Sequence, residues 1–500
     1  MAHHHEPVLK DDDKRRLGAG ARSFGLTAIV VGIVALIVAV VVALLSGDDG
    51  WERFGFAYVV NYSYFLSITL GALFLVLVTH LFRAGWVVAV RRVPEVIAAN
   101  MPVMAVLFIP ILLYVFMGHG MLYPWAGASH DETGHAYIPP SDAQVFMVAN
   151  EAEGEDHAGH ADSDDGAHEQ GHDGEAGHDS DADDDSHGGG HGVTPADHGG
   201  DIVAAREANH HLHEGHLIPI KSAYLNTGFF TARWIIYLLV WCGLGAYYLK
   251  TSISQESGNG VKLTRKLEVL SAPGTLLFAI TFTFAAFDLL MSLDPVWFST
   301  MWGVYHFAGS ALATVCTVTL ALMALQRSGY LPSVSVEHYH DLGKLMFMFV
   351  FFWGYIAFSQ FMLIWYGNLA EETYWFEMRG ITSAADNPYN SGWTVVAVVL
   401  LFGHLLIPFL GLLSRWIKRS RPLLAFWAVW LLVMHWIDQW WVVMPNYSSP
   451  GIPLPTVELL CLVGIGGIAV GTAVLRATRQ GLIAAGDPRL GDSLGHENMY

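Results

Sequence analysis

The residues best suited to acid–base chemistry in this chain are histidines and carboxylates inside long apolar runs. His435 and Asp438 lie three positions apart, so a helix would place both side chains on one face. His404 stands near the middle of another apolar run. These side chains bind and release protons, and histidine does so near neutral pH. The pattern therefore predicts either proton transfer or buried hydrogen bonding in a helical bundle.

Further polar residues extend this pattern to other helices at graded depths. The predicted proton path comprises Asp288, His306, Glu337, His338, Tyr355, Gln360, His404, His435, Asp438 and Glu458. The alternative is that each residue makes only an interhelical hydrogen bond, worth about 0.6 kcal/mol. Each residue taken singly favours that structural role, whereas the whole set favours a path.

A b-type haem is a third interpretation of the histidine pair. Two histidines on adjacent helices at similar depth are what bis-histidine ligation requires, and His404 and His435 meet that condition. A haem edge needs small neighbouring residues, however. The run around His435 instead carries four tryptophans: Trp430, Trp436, Trp440 and Trp441. The sequence therefore disfavours a haem here.

Motifs for a resident redox centre are missing from the sequence. The three cysteines fit no spacing for zinc or iron–sulfur ligation: Cys242, Cys316 and Cys461. We find no CxxCH haem attachment, no GxGxxG after a strand and no Walker A lysine. We therefore expect no cofactor in this chain, and any electron transfer that it serves should belong to partner proteins.

Ten apolar runs are long enough to cross a membrane as helices and must position these residues. They cover 24–45, 57–79, 95–117, 229–249, 272–293, 303–325, 345–364, 393–413, 423–444 and 457–475. The predicted fold is therefore an all-α polytopic membrane protein.

The distribution of lysine and arginine predicts the orientation of these spans. If the N-terminus is cytoplasmic, 21 of the 26 basic residues fall in cytoplasmic flanks. The expected organisation is a cytoplasmic N-terminal tail (1–23), three transmembrane helices (24–117), a periplasmic loop (118–228), seven more transmembrane helices (229–475) and a cytoplasmic C-terminal tail (476–500).

The large loop carries most of the chain's acidity. Between His130 and His216 there are 22 acidic residues, one arginine and fourteen histidines. The central part, 151–201, is of low complexity and is expected to be disordered. Metal buffering is one interpretation of its histidines. A solvated acidic linker is favoured, because the irregular spacing specifies no coordination geometry.

Four stretches of the sequence resemble the ActF family of membrane subunits of bacterial alternative complex III. They cover 270–310, 337–368, 403–419 and 435–446, the last reading HWIDQWWVVMPN. A weaker similarity over 56–116, with THLFRAGW and RRVPEVI, is to NrfD-like membrane proteins. The chain lacks the early Asn-Asn motif of the paralogous ActC subunits, so ActF is the better match.

The resemblance implies an architecture and a set of partners. It implies two NrfD-like four-helix bundles plus two extra helices in a bacterial inner membrane. The implied partners are an NrfD-like quinol-binding membrane subunit and periplasmic subunits with iron–sulfur clusters and multihaem cytochrome c. Quinol would be the substrate of the complex. The ActF role would be structural, proton-conducting or both, and no nucleic-acid partner is expected.

Two other functions remain open from the sequence. Quinol could bind this chain itself, with Asp288 and His306 supplying the polar groups of an apolar slot. A secondary transporter or metal-ion exporter would also use intramembrane carboxylates and histidines, but no internal repeat is recognisable in the sequence.

Overall fold

The ten apolar runs form ten helices in the computed structural model, which describes residues 16–118, 120–127, 220–381, 392–447 and 452–498. Within these ranges the chain is helical and contains no strand. The helices are α1 (Ala19–Leu45), α2 (Asp48–Leu81), α3 (Arg92–Met117), α4 (Thr227–Ser254), α5 (Gly260–Leu289), α6 (Trp302–Arg327), α7 (Val336–Gly367), α8 (Trp393–Leu413), α9 (Arg421–Val443) and α10 (Thr456–Ala477). The prediction of an all-α polytopic membrane protein is confirmed.

Several helices are longer than the apolar runs that predicted them. α7 was expected over 345–364 but begins at Val336, and α2 begins at Asp48 instead of residue 57. Hydropathy identifies only the part of a helix that crosses the hydrocarbon core, whereas the helix continues into the polar flanks. Prolines interrupt α3, which consists of Arg92–Ala98, Met101–Leu107 and Ile109–Met117.

The helices group into two sets of four and one pair. α2 packs against α3 and α5, and α4 packs against α3 and α5. We call these four helices the first bundle. In the second bundle α6 packs against α7 and α9, while α8 packs against α7 and α9. α2 also contacts α6 and α9, so it joins the two bundles. α1 pairs with α10 and lies against α2.

The two ends of the helix assembly differ in charge. The starts of α1, α3, α5, α7 and α9 and the ends of the other helices lie at the end that carries most of the lysine and arginine. We call this the basic end. The opposite end holds only four basic residues within the described ranges: Arg53, Lys221, Arg233 and Arg379. The acidic segment 151–201 lies outside the described residues.

A buried polar cluster in the second bundle as the candidate functional site

A carboxylate and a phenol meet in the interior of the second bundle. Asp438 on α9 and Tyr305 on α6 are both buried, and the Tyr305 hydroxyl donates a hydrogen bond to Asp438 Oδ1. Tyr305 also lies against Trp353 of α7, with 5.8 Å between ring centroids. Asp438 is therefore bonded to a group that can itself give up and accept a proton.

His435 lies one turn before Asp438 and is held by α2. Its Nε2 is 2.9 Å from Ser67 Oγ, and the Ser67 hydroxyl donates to the Tyr64 carbonyl oxygen at 2.7 Å. Because the hydroxyl proton is engaged there, Ser67 accepts from His435, which places the imidazole proton on Nε2. His435 Nδ1 is then an acceptor, and it has no protein hydrogen-bond partner.

His404 faces His435 from α8, with 6.4 Å between the ring centroids. Both of its ring nitrogens are buried and lack a protein hydrogen-bond partner. The ring lies instead against Trp353, at 4.0 Å between centroids. Such atoms are rare in proteins, because each costs about 1–3 kcal/mol when it lacks a partner. The histidine pair thus has three ring nitrogen atoms that can bind a proton and that no protein group occupies.

A wide turn in α8 carries His404. The helix changes from α to π geometry over Leu401–Leu406 and returns to α geometry at Ile407. Pro408, four residues after His404, has no N–H to donate to the His404 carbonyl, and its ring crowds that oxygen. The neighbouring Gly403 carbonyl accepts instead from Trp430 Nε1 at 2.7 Å. Wide turns of this kind often occur at functional sites.

Asp288, predicted to belong to the path, is neutralised in the first bundle. Arg233 of α4 donates to both carboxylate oxygens, at 2.9 and 2.8 Å, and Tyr237 donates at 3.0 Å. Arg233 is fixed in turn by the Tyr224 carbonyl oxygen at 2.8 Å. This geometry is that of a structural ion pair between α4 and α5, and it does not bring Asp288 to the cluster.

Two other predicted members are also ion-paired. Glu337 at the basic end accepts from Arg419, with 2.7 Å between Oε2 and Nη1. Glu458 at the opposite end is fully buried and pairs with Arg53 of α2 at 3.1 Å. Both pairs join separate helices, α7 to the segment before α9 and α10 to α2. These two ion pairs therefore have a structural role, which is to hold neighbouring helices together.

His338 caps α7 and is occupied at both nitrogens. Its Nδ1 accepts from the Ser335 backbone N–H at 3.2 Å, and its Nε2 lies 3.3 Å from Ser493 Oγ. The Ser493 hydroxyl donates to the Trp86 carbonyl oxygen, so it accepts from His338. The capping box and this bond fix a single orientation of the ring.

Of three further members of the predicted path, Tyr355 and Gln360 lie apart from the cluster, whereas His306 borders it within electrostatic range of His435. Tyr355 is 56% exposed on the outer face of α7, so it does not line the interior of the second bundle. The helical period turns position 355 away from the buried positions Trp353 and Ile356. Gln360 is buried and accepts from Ser299 at 3.3 Å. His306 is buried against Phe282, with 5.7 Å between ring centroids.

An apolar layer separates the polar residues at the basic end from His404 in this structure. About 22 Å of α7 separate His338 from Trp353, the contact residue of His404. The space between them holds apolar core side chains: Met346, Phe349, Val350, Leu412, Leu424, Ala428 and Leu431. A polar path from the basic end would have to cross this layer.

The cluster is closer to the opposite end, where a buried arginine covers it. Arg379 donates to the Val442 carbonyl oxygen, one turn after Asp438 on α9, at 2.6 Å. Its guanidinium lies 3.4 Å from the centroid of the Trp375 ring. Burial lowers the pKa of Arg379 to about 9, opposed by Asp294 and by Tyr305. The group therefore remains positively charged at neutral pH.

A cavity of about 310 Å³ opens at the opposite end of the first bundle. Its walls are mainly aromatic and aliphatic, and Lys221, Ser292 and Asp294 add polar groups. Lys221 Nζ donates to the Pro295 carbonyl oxygen at 2.5 Å. Burial lowers the pKa of Lys221, while Asp294 opposes that shift. The cavity lies beside the Asp288 ion pair, but His306 is not among its lining residues.

Sequence reasoning missed the partners that organise the cluster: Ser67, Tyr305, Trp353 and Arg379. Ser67 belongs to α2, far from α9 in sequence, and no local spacing connects it to His435. Tyr305 is next to His306 in the sequence, and only the histidine was predicted as a site residue. Arg379 had a usable signal, since a lone arginine next to an apolar span and among tryptophans indicates a buried cation.

The packing around the histidine pair does not favour a haem. Trp353 covers one face of His404, and His435 Nε2 is bonded to Ser67. A Cβ atom added at Gly309 of α6 would lie 2.9 Å from His435 Cε1, so this side is filled as well. Within the described residues no group of three histidine, cysteine or carboxylate side chains could hold a metal ion.

The comparisons with known proteins do not identify a family. No protein-family model matches the chain, and no curated protein sequence matches it.

Proposed function

We propose that this chain is a membrane subunit of a respiratory quinol-oxidising complex of the alternative complex III type, and that its second bundle transfers protons. The chain carries no redox centre of its own in this proposal. Partner subunits contribute the quinol site, the iron–sulfur clusters and the multihaem cytochrome c. The similarity of four long stretches to the ActF family supports the assignment to such a complex.

One observation supports the proton-transfer role above the others. His404 and His435 present three buried nitrogen atoms without protein partners, close to the hydrogen-bonded Tyr305–Asp438 pair. Groups that are already committed to ion pairs cannot exchange protons easily, whereas these can. An apolar layer separates the cluster from the basic end. In this conformation the cluster therefore exchanges protons with the opposite end.

The orientation of the protein is part of the same proposal. The basic end faces the cytoplasm of a bacterial inner membrane, and both termini lie on that side, in agreement with the positive-inside rule. Single cysteines at Ser163 and Ser420 test it by labelling with an impermeant reagent. Ser163 should react from outside and Ser420 only after permeabilisation, and the reverse pattern would contradict the orientation.

The proton-transfer role is tested with Asp438→Asn and His404→Gln in the purified complex. Both changes keep hydrogen-bonding atoms but remove the titratable group. Quinol oxidation in detergent should survive, while the proton-to-electron ratio in reconstituted vesicles should fall. Glu458→Gln is the matched control, because it weakens a structural ion pair and should lower stability without changing the ratio. An unchanged ratio in both test variants would leave the cluster a structural element.

Membership of a complex is tested by mild purification from native membranes. Co-isolation with multihaem cytochrome and iron–sulfur subunits is the expected result. A stable lone monomer or homodimer would contradict the proposal.

A second candidate function is quinol binding by this chain. The cavity beside Asp288 favours it, because a slot of about 310 Å³ with aromatic walls and a few polar groups suits a quinol head group. A photoreactive quinone analogue should then label the segment 287–298. Labelling confined to another subunit would exclude this candidate.

A further inference from the structure

Basic side chains gather where α3 begins and α10 ends. The two helices are antiparallel and packed together, with Asn100 Nδ2 donating to Thr472 Oγ1 at 3.0 Å. Nearer the basic end, Ala477 packs against the cluster formed by Val96 and Ala99 of α3 and Leu249 of α4. Arg476, the residue before Ala477, therefore lies at the end of α10 that packs on α3. The corner lies at the level where the spans leave the hydrocarbon core at the basic end.

Several hydrogen-bond donors of this corner lack acceptors. Arg92 is 1% exposed, and only its Nη2 is bonded, to Glu256 at 2.8 Å and to the Ile483 carbonyl oxygen at 3.4 Å. Arg92 Nη1 lies 3.6 Å from Glu95 Oε2 in an ion pair, and Arg92 Nε is buried without a hydrogen-bond acceptor. The same is true of Arg476 Nε and of Nε2 of the buried Gln480. Donors without acceptors in this number point to a ligand that supplies acceptor oxygens.

Arg92 is paired with Glu95 and Glu256, so the positive charge that selects an anion at this corner is that of Arg476 and Arg479. Within the described part of the chain, neither Arg476 nor Arg479 forms an ion pair with a carboxylate. A phosphate group offers several acceptor oxygens and a negative charge, and guanidinium groups bind it with two parallel hydrogen bonds. A basic pocket between transmembrane helices at the cytoplasmic side is a recurrent site for anionic lipid head groups.

We propose that the corner formed by Arg92, Arg476, Arg479 and Gln480 binds a phosphate group. The membrane position makes an anionic phospholipid its natural source, with the head group on the arginines and the acyl chains along the apolar faces of α3 and α10. A soluble phosphate ion would use the same donors. This inference is independent of the proton-transfer role, because none of its residues belongs to the cluster.

The test measures lipid retention by the full-length chain purified in detergent. Phosphatidylglycerol, phosphatidylcholine and inorganic phosphate are added separately, and binding is followed by native mass spectrometry and by the melting temperature. Wild-type protein should retain phosphatidylglycerol at least tenfold more tightly than phosphatidylcholine. Stabilisation by inorganic phosphate to the same extent would assign the site to the soluble anion.

Variants connect the effect to the corner. Arg476→Gln with Arg479→Gln should weaken phosphatidylglycerol binding at least tenfold, and Arg479→Gln alone, at an exposed position, should weaken it about threefold without disturbing the fold. Arg327→Gln is the matched control, since this exposed arginine lies at the basic end of α6 and should leave binding unchanged. Undiminished binding in the single and double variants would overturn the proposal. So would wild-type protein that binds phosphatidylglycerol no more tightly than phosphatidylcholine and is not stabilised by inorganic phosphate.

Discussion

At the scale of single residues, the partner of each polar group determines its role. Asp288 and Glu458 are bonded to arginines and therefore hold helices together. His435 has one nitrogen bonded to Ser67 and the other without a protein partner. Polar residues inside the helices thus perform different tasks, depending on whether a counter-charge lies within reach.

Ser67→Ala should destabilise the protein, because it leaves the buried Nε2–H of His435 without an acceptor. The free energy of unfolding is expected to fall by about 1–3 kcal/mol. Ser63→Ala is the matched control, since Ser63 lies one turn earlier on α2 and bonds only to the Val60 carbonyl oxygen. Thermal unfolding in detergent compares the two variants. Equal melting temperatures would show that the Ser67–His435 bond does not hold the ring.

At the scale of helices, small residues determine how closely α1 and α10 approach. Only 22% of the most apolar stretch of α1 is buried, so a single face attaches this helix to the rest. That face is made of glycine and alanine and lies on glycines of α10. In a membrane such pairs associate through close backbone packing, because lipid provides no hydrophobic drive.

Gly32→Ala should loosen this pair. A Cβ atom at position 32 would lie 2.6 Å from the Gly464 carbonyl oxygen and 2.9 Å from the Ile468 nitrogen, and these backbone atoms cannot rotate away. Overpacking of this kind costs about 1–3 kcal/mol. Gly20→Ala on the same helix meets nothing within 4 Å and should be neutral. Protease sensitivity of α1 and the melting temperature give the comparison, and equal behaviour of the two variants would contradict the expectation.

At the scale of the whole molecule, the segment after α10 connects the two bundles at the basic end. Asp487 accepts from Arg91, which precedes α3, at 2.8 Å. Nine residues later His496 lies 2.5 Å from Asp341 of α7. Ser493 is bonded to the α2–α3 connection between these two contacts. The segment therefore ties the first bundle to the second by polar contacts, in addition to the apolar packing of Leu482, Ile483, Ala484 and Leu490 in the core.

Asp487→Asn should weaken this connection in a pH-dependent manner. Burial by itself would raise the pKa of Asp487, but the charge of Arg91 and the hydrogen bonds from Arg489 and Arg91 together outweigh it, so the pKa is lowered. A carboxylate whose pKa is lower in the folded state contributes stability above its unfolded value of about 3.9, and this contribution disappears as the pH falls through the folded value. The free energy of unfolding of the variant should be lower by about 1–3 kcal/mol at pH 7. The loss is limited because Arg91 keeps its second ion pair, with Glu95.

Thermal unfolding between pH 7 and pH 3 measures this effect. The difference between wild type and Asp487→Asn should shrink on the acid side of pH 4. Asp492→Asn, an exposed position of the same segment, should match wild type throughout. A difference that is independent of pH would show that the charge of Asp487 does not stabilise the connection.

The sequence by itself determined the membrane-spanning helices and their order. Hydrocarbon thickness imposes a minimum apolar length, and each of the ten runs meets it, so all ten helices could be predicted. Residue type also indicated His404, His435 and Asp438, since charged or titratable groups inside a span need a reason to be there. These features depend on the local amino-acid sequence and on the membrane that surrounds it.

Only the tertiary structure decided which of the indicated residues belong together. Asp288 and Glu458 had the same chemical character as Asp438 in the sequence, but their helices face arginines that lie far away in the chain. The orientation of Tyr355 and the apolar layer below His404 likewise depend on how whole helices pack. The physical reason is that a hydrogen bond acts over about 3 Å, and contacts of that length between helices are fixed by packing rather than by local sequence.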